Sequence, residues 1–376
     1  MLYLDNAATT KPFPWALELY AKIASTYFAN PSSIHYFGAS AKRELDQARE
    51  EVLSSLKLSS THRCVFLSGA TEGNNMVFSG VTATYASRGK TILFGATEHP
   101  SVKETALSLT KLGFNVKPIP VNEEGKVTVE TLSSMMDKDV ILVSIMAVNN
   151  EVGTINDIPA LAKVVKGYPK AFFHSDITQS VGKVDMDYSS CDFLTFSGHK
   201  LGALKGSGAL ILKSGIKLES FHKGGAQENG YRAGTVDLAG AMTLSKCLAY
   251  EEKHAEENRY KVSLLNQHLR ESLKEIEEIE INSPLDGSPY LLNFSFRLHK
   301  ASVIVEALSE KEIYVSSISA CSSKREPFSY VLEAMGKDRV AYENSVRVSF
   351  NPELTIDDID MFTGSLKQIL SEVKPR

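Results

Sequence analysis

The hydrophobic and polar positions from residue 60 to residue 215 predict an alternation of strands and helices. Short apolar runs of strand length recur here, and the segments between them have helical periodicity. The runs are Cys64–Leu67, Thr91–Phe94, Val140–Val148, Ala171–His174, Asp192–Phe196 and Ala209–Leu212. Residues 140–146 are almost all apolar, which is typical of a strand covered on both faces. The pattern therefore predicts an α/β fold with a mostly parallel sheet.

Helical patterns lie on both sides of this region. Pro12 and Pro14 precede apolar residues that continue to Phe28, which indicates a helix entered through proline, and residues 40–58 predict a second, polar helix. Residues 236–280 predict a long helix, in which we place the change of domain. After it the expected elements are a strand at 290–296, a helix at 302–308, a strand at 345–350 and a final helix, typical of a smaller α+β unit.

Polar or titratable residues follow five of the predicted strands. These residues are Ser68–Glu72, Thr97–His99, Asn149–Glu151, Asp176 with Gln179, and Ser197–Lys200. In open parallel sheets, ligands bind beyond the carboxyl ends of the strands. We therefore expect a cofactor site at this edge.

Lys200 is the candidate nucleophile of that site. It follows a strand that we expect to be buried, and desolvation lowers the pKa of an amine because it penalises the charged form. A neutral amine attacks an aldehyde readily. Taken alone, Lys200 also fits a surface lysine where the chain leaves a strand, so its neighbours decide between the two interpretations.

Those neighbours suit pyridoxal 5'-phosphate, an aldehyde that carries a phosphate and a pyridine ring. This cofactor needs an amine, an anion site and a carboxylate facing the ring nitrogen. Residues 68–71 lie between a predicted strand and a predicted helix, where backbone N–H groups and the helix N-terminus bind phosphate. Ser197 and His199 can add side-chain donors to the same phosphate.

The remaining polar groups have expected roles around the pyridine ring. Asp176 ends a strand and could pair with the protonated ring nitrogen, which lets the ring take up the electrons of a substrate carbanion. Gln179 and Asn150 could hydrogen-bond the ring hydroxyl and the substrate. His99 could stack on the ring and transfer protons. Singly, His99 could equally be a buried core histidine and Asp176 a strand cap, whereas together these residues favour the cofactor site.

Composition adds limits to this picture. The 376 residues are 43% hydrophobic and 23% charged, which is typical of a globular chain with two domains or one large domain and an appendage. The net charge of -4 and the lack of a long basic run argue against a nucleic-acid partner. The first residues lack the features of a signal peptide, and no apolar run reaches the roughly 20 residues of a membrane helix. Four widely spaced cysteines argue against a zinc site or a disulfide framework, so we expect a cytoplasmic protein without a metal.

The motifs together resemble those of cysteine desulfurases, in the class V branch of the pyridoxal-phosphate-dependent aminotransferases. They extend over nearly the whole chain in a fixed order, which makes the resemblance specific. The matching segments are Leu4–Thr10, Asn30–Ser33, Ser68–Glu72, Thr97–His99, Val148–Gly153, Asp176–Ser180, Ser197–Lys200, Gly224–Glu228, Arg232–Thr235, Ser319–Ser323 and Val346–Ser349.

This resemblance implies the pyridoxal-phosphate transferase fold type I. A large domain, residues 12–255, would hold a mostly parallel seven-stranded sheet covered by helices. Residues 1–11 and 256–376 would form a smaller α+β domain that carries the loop of the catalytic cysteine. The cofactor contacts would come from Ala70, Thr71, His99, Asn150, Asp176, Gln179, Ser197 and His199, with Lys200 as the Schiff-base lysine. Thr235 would reach the phosphate in the partner subunit, so the resemblance implies a homodimer.

The resemblance also implies the reaction. L-cysteine would be converted to L-alanine, and its sulfur would pass to Cys321 as a persulfide, for an acceptor in iron–sulfur cluster assembly or tRNA thiolation. Arg347 would hold the substrate carboxylate, which suits a bidentate guanidinium. Cys321 lies in a serine-rich segment followed by Lys324 and Arg325, two cations that favour the thiolate. The other three cysteines lie in apolar surroundings and are expected to be inert.

Other functions remain open at this point. A selenocysteine lyase or another β-lyase would use the same site, whereas a simple aminotransferase would have no use for Cys321. A sulfur-relay component that is active only with a partner is an alternative of another class. The sequence ends at Arg376, short of the extension by which some family members dock an iron–sulfur scaffold protein, so the resemblance does not imply such docking here.

Overall fold

The computed structural model describes residues 1–317 and 328–375. Within them, seven strands form the largest sheet, in the spatial order β2-β8-β7-β6-β5-β3-β4. The strands are β2 His62–Leu67, β3 Thr91–Gly95, β4 Asn115–Ile119, β5 Val140–Ser144, β6 Phe172–Asp176, β7 Phe193–Ser197 and β8 Gly208–Lys213. The five from β4 to β7 in that order are mutually parallel, while β8 is antiparallel to both of its neighbours. The expected mostly parallel sheet is confirmed.

Helices cover both faces of this sheet because its strands are apolar on both sides. In β2, Cys64 and Phe66 belong to one hydrophobic core and Val65 and Leu67 to another. The first core includes residues of α1, α2, α6 and α7, and the second includes residues of α3 and α4. The helices are α1 Pro14–Thr26, α2 Tyr36–Ser55, α3 Ala70–Tyr85, α4 Pro100–Ser108, α5 Val129–Met135, α6 Ile158–Lys166 and α7 Leu238–Lys274.

Two strands of the large sheet differ from the sequence-based expectation. The pattern misses β4, whose residues are mostly exposed at the edge of the sheet and include Pro118, so no apolar run marks it. The run predicted to continue to Val148 is a regular strand only as far as Ser144. Its apolar continuation stays buried beside β6, because the N–H groups of Ile145 and Ala147 donate to carbonyls of that strand.

The C-terminal part holds a smaller antiparallel sheet, in the order β12-β13-β10-β9. A two-stranded parallel sheet pairs β1 at the N-terminus with β11. The elements are β1 Leu2–Tyr3, β9 Ile279–Ile281, β10 Leu291–Phe296, α8 Ala301–Glu310, β11 Ile313–Tyr314, β12 Ser316–Ser317, α9 Tyr330–Ala334, α10 Arg339–Glu343, β13 Ser345–Ser349 and α11 Ile356–Glu372. A capping box of Thr355 and Asp358 opens α11.

Helix α7 contributes to the first core of the large sheet and also to a separate core in the C-terminal part. It is 37 residues long; Leu244 and Leu248 in its first half pack in the core of the large sheet, and Leu265 and Leu269 in its second half pack in the C-terminal core. The C-terminal core also contains Leu2, from the opposite end of the chain. Among the helices that the structure describes, none has both the length and the hydropathy of a membrane span.

Two glycines provide a matched test of this packing. A Cβ atom on Gly208 in β8 would lie 2.5 Å from Gly69 Cα and 2.6 Å from the Phe196 carbonyl oxygen, whereas a Cβ on Gly364 in α11 meets nothing within 4 Å. We expect Gly208→Ala to lower the free energy of unfolding by about 1–3 kcal/mol, because backbone atoms must move. Gly364→Ala should raise it by about 0.5–1 kcal/mol, because alanine favours the helix. Urea unfolding measures both, and equal effects of the two variants would contradict the packing of β8.

Candidate active site

A cavity of about 250 Å³ lies at the carboxyl ends of the parallel strands. The loops that follow β2, β3, β5, β6 and β7 all contribute to its wall. The sequence-predicted residues that line it are Ala70, Thr71, His99, Asn150, Asp176, Gln179, Ser197, His199 and Lys200. The structure thus brings together all of the predicted site residues except Thr235, Arg347 and Cys321.

The turn between β2 and α3 forms one end of the cavity. Gly208 lets this turn approach the sheet closely, since any side chain there would collide with Gly69. The Ala70 N–H donates a 2.8 Å hydrogen bond to Ser197 Oγ, which ties the first turn of α3 to the end of β7. The N-terminal turn of this 16-residue helix carries N–H groups and a partial positive charge. The arrangement suits a bound phosphate.

Lys200 lies in a single 3-10 turn directly after β7. Its Nζ donates a 2.7 Å hydrogen bond to the Ala7 carbonyl oxygen. Burial lowers the pKa of Lys200 to about 8, and the positive charges of Arg347 and Lys183 act in the same direction, while Asp176 opposes them. A substantial fraction of this amine is therefore neutral near physiological pH.

Asp176 is the last residue of β6 and is almost fully buried. Both of its carboxylate oxygens accept hydrogen bonds. The Thr178 N–H donates to Oδ1 at 3.0 Å, and Asn74 Nδ2 donates to Oδ2 at 2.9 Å. These two hydrogen bonds fix the orientation of the carboxylate at the wall of the cavity.

Two neutral histidines complete the polar wall. Burial, followed by the charge of Lys200, lowers the pKa of His199 to about 4. Burial also lowers the pKa of His99, whose Nδ1 accepts a 3.1 Å hydrogen bond from the Ser101 N–H. An imidazole that accepts at Nδ1 carries its proton on Nε2. His199 and His99 can therefore act as hydrogen-bond donors without adding charge.

The cavity contains polar oxygens that have no partner within the protein. Among the described residues, the buried oxygens of this kind that line it are Asn150 Oδ1, Thr178 Oγ1 and Gln179 Oε1. A buried oxygen without a hydrogen bond costs about 1–3 kcal/mol. This cost would be recovered by a ligand that presents hydrogen-bond donors, so the wall is suited to a polar ligand.

The N-terminal segment contributes groups that the sequence analysis assigned to no role. The Ala7 carbonyl accepts hydrogen bonds from both Lys200 Nζ and Gln179 Nε2, the latter at 3.0 Å, and Ala8 lines the cavity. Ser101 and Thr178 also line it, two residues after His99 and Asp176 respectively. The sequence signal for Ser101 and Thr178 was their position next to predicted site residues. No sequence signal pointed to a role for the carbonyl of Ala7 itself.

Of the three remaining predicted residues, Thr235 and Arg347 do not line this cavity. Thr235 is exposed and lines a different cavity of about 150 Å³, together with Ser68 and Arg232. Arg347 lies in β13 and is buried, with Nη1 donating to the Asn150 carbonyl and Nη2 to Asp5 Oδ1, both at 2.8 Å. Cys321 lies outside the described residues.

The other three cysteines are buried thiols, as the sequence predicts. They are Cys64, Cys191 and Cys247. Burial raises the pKa of all three, that of Cys247 to about 12. None of them is a thiolate at neutral pH, so none is a ready nucleophile.

Comparisons with known proteins agree with this geometry. A family model described as aminotransferase class-V matches residues 2–362. The chain is 36% identical over 377 residues to a protein named "NifS/IcsS protein homolog" from Lactobacillus delbrueckii subsp. bulgaricus, with 98% of this chain and 97% of the relative covered. It is also 36% identical to the cysteine desulfurase IscS of Dictyoglomus turgidum, over 99% of this chain and 95% of the relative.

A solved structure gives the same result for the fold. A protein named "NIFS-LIKE PROTEIN" superposes with a TM-score of 0.92 at 32% identity, covering 99% of this chain and all of the other. The family resemblance and the fold inferred from the motifs are confirmed.

The lowered pKa of Lys200 predicts when its amine reacts. Because the neutral form is the nucleophile, we expect trace acetylation of Lys200 by acetic anhydride, followed by peptide mass spectrometry, to rise with pH through a midpoint near 8 and then level off. A midpoint near 10.4, the value of an unperturbed lysine, would show that burial does not govern this amine.

Proposed function

We propose that this chain, which belongs to the class-V aminotransferase family, is a pyridoxal 5'-phosphate-dependent cysteine desulfurase that transfers the sulfur of L-cysteine to its own Cys321. The observation that carries the proposal is the single cavity that joins the Lys200 amine, with its lowered pKa, to the buried Asp176 carboxylate. The names of the relatives over the full chain support the desulfurase activity.

The cavity residues fit this cofactor by their chemistry. The start of α3 with Ser197 and His199 would hold the phosphate, Lys200 would bind the aldehyde, and Asp176 would face the ring nitrogen. The unpartnered Gln179 Oε1 and Asn150 Oδ1 can accept hydrogen bonds from the ring hydroxyl and the substrate. When bound, the cofactor supplies a cationic ring that accepts electrons from the substrate Cα.

The chain's own groups would then handle the substrate and its protons. The neutral Lys200 amine is suited to take the proton from the Cα of L-cysteine. His99, with Nδ1 committed to Ser101, would transfer protons through Nε2. Arg347 would bind the substrate carboxylate, which would replace Asp5 as the acceptor of Nη2.

Cys321 is proposed as the sulfur acceptor. Its thiolate would form a bond to the substrate sulfur as the Cβ–S bond of cysteine breaks and Cβ takes a proton, which yields alanine and a persulfide. The two chain segments that flank residues 318–327 support this role. Ser316 pairs with Arg347 in the small sheet, and the Tyr330 hydroxyl donates a 2.6 Å hydrogen bond to the Glu98 carbonyl, next to His99.

We also propose the domain division expected from the sequence, residues 12–255 as the large domain and 1–11 with 256–376 as the small one. It is supported by the separate hydrophobic cores of the two sheets and by the packing of Leu2 in the C-terminal core. The persulfide on Cys321 would pass from the small domain to a sulfur-acceptor protein of iron–sulfur assembly or tRNA thiolation. Free thiols at the described cysteines support a reducing cytoplasm as the location.

A homodimer is the proposed active form. Thr235 is exposed, where a partner subunit could bring its phosphate site. Large apolar side chains are exposed on another segment of the large domain: the rings of Phe28 and Phe37 lie 5.1 Å apart, and Ile34 is fully exposed. Such a patch is typical of an interface.

Substitution of the proposed nucleophile tests the reaction. We expect Cys321→Ser to bind pyridoxal 5'-phosphate with unchanged visible absorbance but to release sulfide from L-cysteine only at background rate, because serine cannot accept the sulfur. Mass spectrometry of the wild type after incubation with L-cysteine should find one extra sulfur atom on the peptide with Cys321. Cys247→Ala is the matched control and should retain sulfide release. Full activity of Cys321→Ser would exclude Cys321 as the nucleophile.

Substitution of Arg347 tests substrate binding. Lysine keeps the charge but loses the fork that binds a carboxylate at two points. We therefore expect Arg347→Lys to raise KM for L-cysteine by about tenfold to a hundredfold, with a smaller effect on kcat. Asp5→Asn, which weakens the same ion pair from the other side, should not raise KM. A similar rise in both variants would mean that Arg347 only holds the N-terminal segment.

A further inference from the structure

We infer that a buried hydrogen-bond chain fixes the orientation of the Asp176 carboxylate, and that its members are positioning residues for catalysis. From the interior to the cavity, the chain runs through Ser144, His174, Thr195, Asn74 and Asp176. The catalytic part of this inference rests on the proposed function, in which Asp176 serves the cofactor.

The chain has short, continuous contacts. Ser144 Oγ lies 2.8 Å from His174 Nδ1, and His174 Nε2 lies 3.0 Å from Thr195 Oγ1. Thr195 Oγ1 lies 2.5 Å from Asn74 Oδ1, and Asn74 Nδ2 lies 2.9 Å from Asp176 Oδ2. The first four residues are completely buried, so water does not replace any of these bonds.

The direction of each bond follows from the carboxylate. An ionised carboxylate only accepts, so Asn74 must turn its amide nitrogen to Asp176 and its oxygen to Thr195. Thr195 has one proton, which it donates to Asn74, and its oxygen therefore accepts from His174 Nε2. The neutral imidazole then accepts at Nδ1 from the Ser144 hydroxyl. Every donor points toward Asp176.

The orientation of Asn74 is fixed on a second side. Its Nδ2 also donates to Ser101 Oγ at 2.9 Å, so both amide hydrogens are used. Ser101 Oγ in turn lies 2.8 Å from His99 Nδ1. Asn74 therefore links the two groups that act on the cofactor, Asp176 and His99. A reversed amide would place its oxygen against the carboxylate and against Ser101, which has its own proton committed to His99.

The neutrality of His174 is part of the arrangement. Burial lowers the pKa of its imidazole to about 4, although Asp176 opposes the shift. The His174 imidazole also packs edge-to-face against the apolar ring of Phe78, with 6.2 Å between the ring centroids. A neutral imidazole at this position orients the carboxylate through the chain without placing a positive charge beside it.

Two substitutions of Thr195 test the chain. Thr195→Val has nearly the same shape but leaves His174 Nε2 and Asn74 Oδ1 without partners, whereas Thr195→Ser keeps the hydroxyl. We expect Thr195→Val to lower kcat by about tenfold to a hundredfold with little change in KM, because Asn74 no longer holds the Asp176 carboxylate in place. Thr195→Ser should stay within about threefold of the wild type in kcat.

The histidine tautomer provides a readout that does not need the cofactor. In protein labelled with 15N-histidine, NMR should find His174 neutral with its proton on Nε2 at neutral pH, in the wild type and in Thr195→Ser. The signal is assigned by its loss in His174→Gln. A proton on Nδ1, or the same kcat for Thr195→Val and Thr195→Ser, would overturn the inference. If the proposed desulfurase function is wrong, the wild type should instead release no sulfide from L-cysteine while the tautomer of His174 is unchanged.

Discussion

The site depends on the burial of the Lys200 amine, because burial lowers the pKa of this amine. Lys200 follows β7, a strand flanked on both sides within the sheet, and its amine donates to a neutral carbonyl instead of a carboxylate. Among the described residues, the charges of Asp176 and Asp5 favour the charged amine but do not offset the effect of its burial on the pKa. The result is an amine of lowered pKa opposite a wall of hydrogen-bonding groups, which is the requirement for capturing an aldehyde.

The N-terminal segment joins the two halves of this site. The Ala7 carbonyl accepts from Lys200 and Gln179 of the large sheet, while the Ala7 N–H donates to Ser349 Oγ in β13. Asp5 meanwhile pairs with Arg347. Because the first residues of the chain contact both the large sheet and the C-terminal unit, the site is complete only when this segment is in place.

The sequence predicted the elements whose signals are local. Strands buried on both faces appear as apolar runs, and site residues such as Asp176 and Lys200 follow those runs directly. In contrast, β4 is exposed at the sheet edge, and β12 has only two residues, so neither leaves a hydrophobic pattern. Strands β10 and β13 and the final helix were predictable because they are longer and regularly patterned.

The parts of the site that could not be predicted are those formed by distant residues. Asn74 lies in a helix and His174 and Thr195 in separate strands, so each resembles an ordinary buried polar residue until the fold brings them into one chain. The Arg347–Asp5 ion pair joins residues 342 positions apart. The proposed role of Thr235 depends on a second subunit, so the hydrophobic and polar pattern of one chain does not reveal it.

A second buried lysine, Lys183, allows a direct test of the claim that Lys200 captures the aldehyde of the cofactor. Burial lowers the pKa of Lys183 to about 8 as well, but Lys183 does not line the cavity with Asp176. Borohydride reduction of the protein with bound pyridoxal 5'-phosphate, followed by peptide mass spectrometry, locates the lysine that captures the aldehyde. The account predicts the cofactor on the peptide that contains Lys200. Its attachment to Lys183, or to no lysine, would contradict the account.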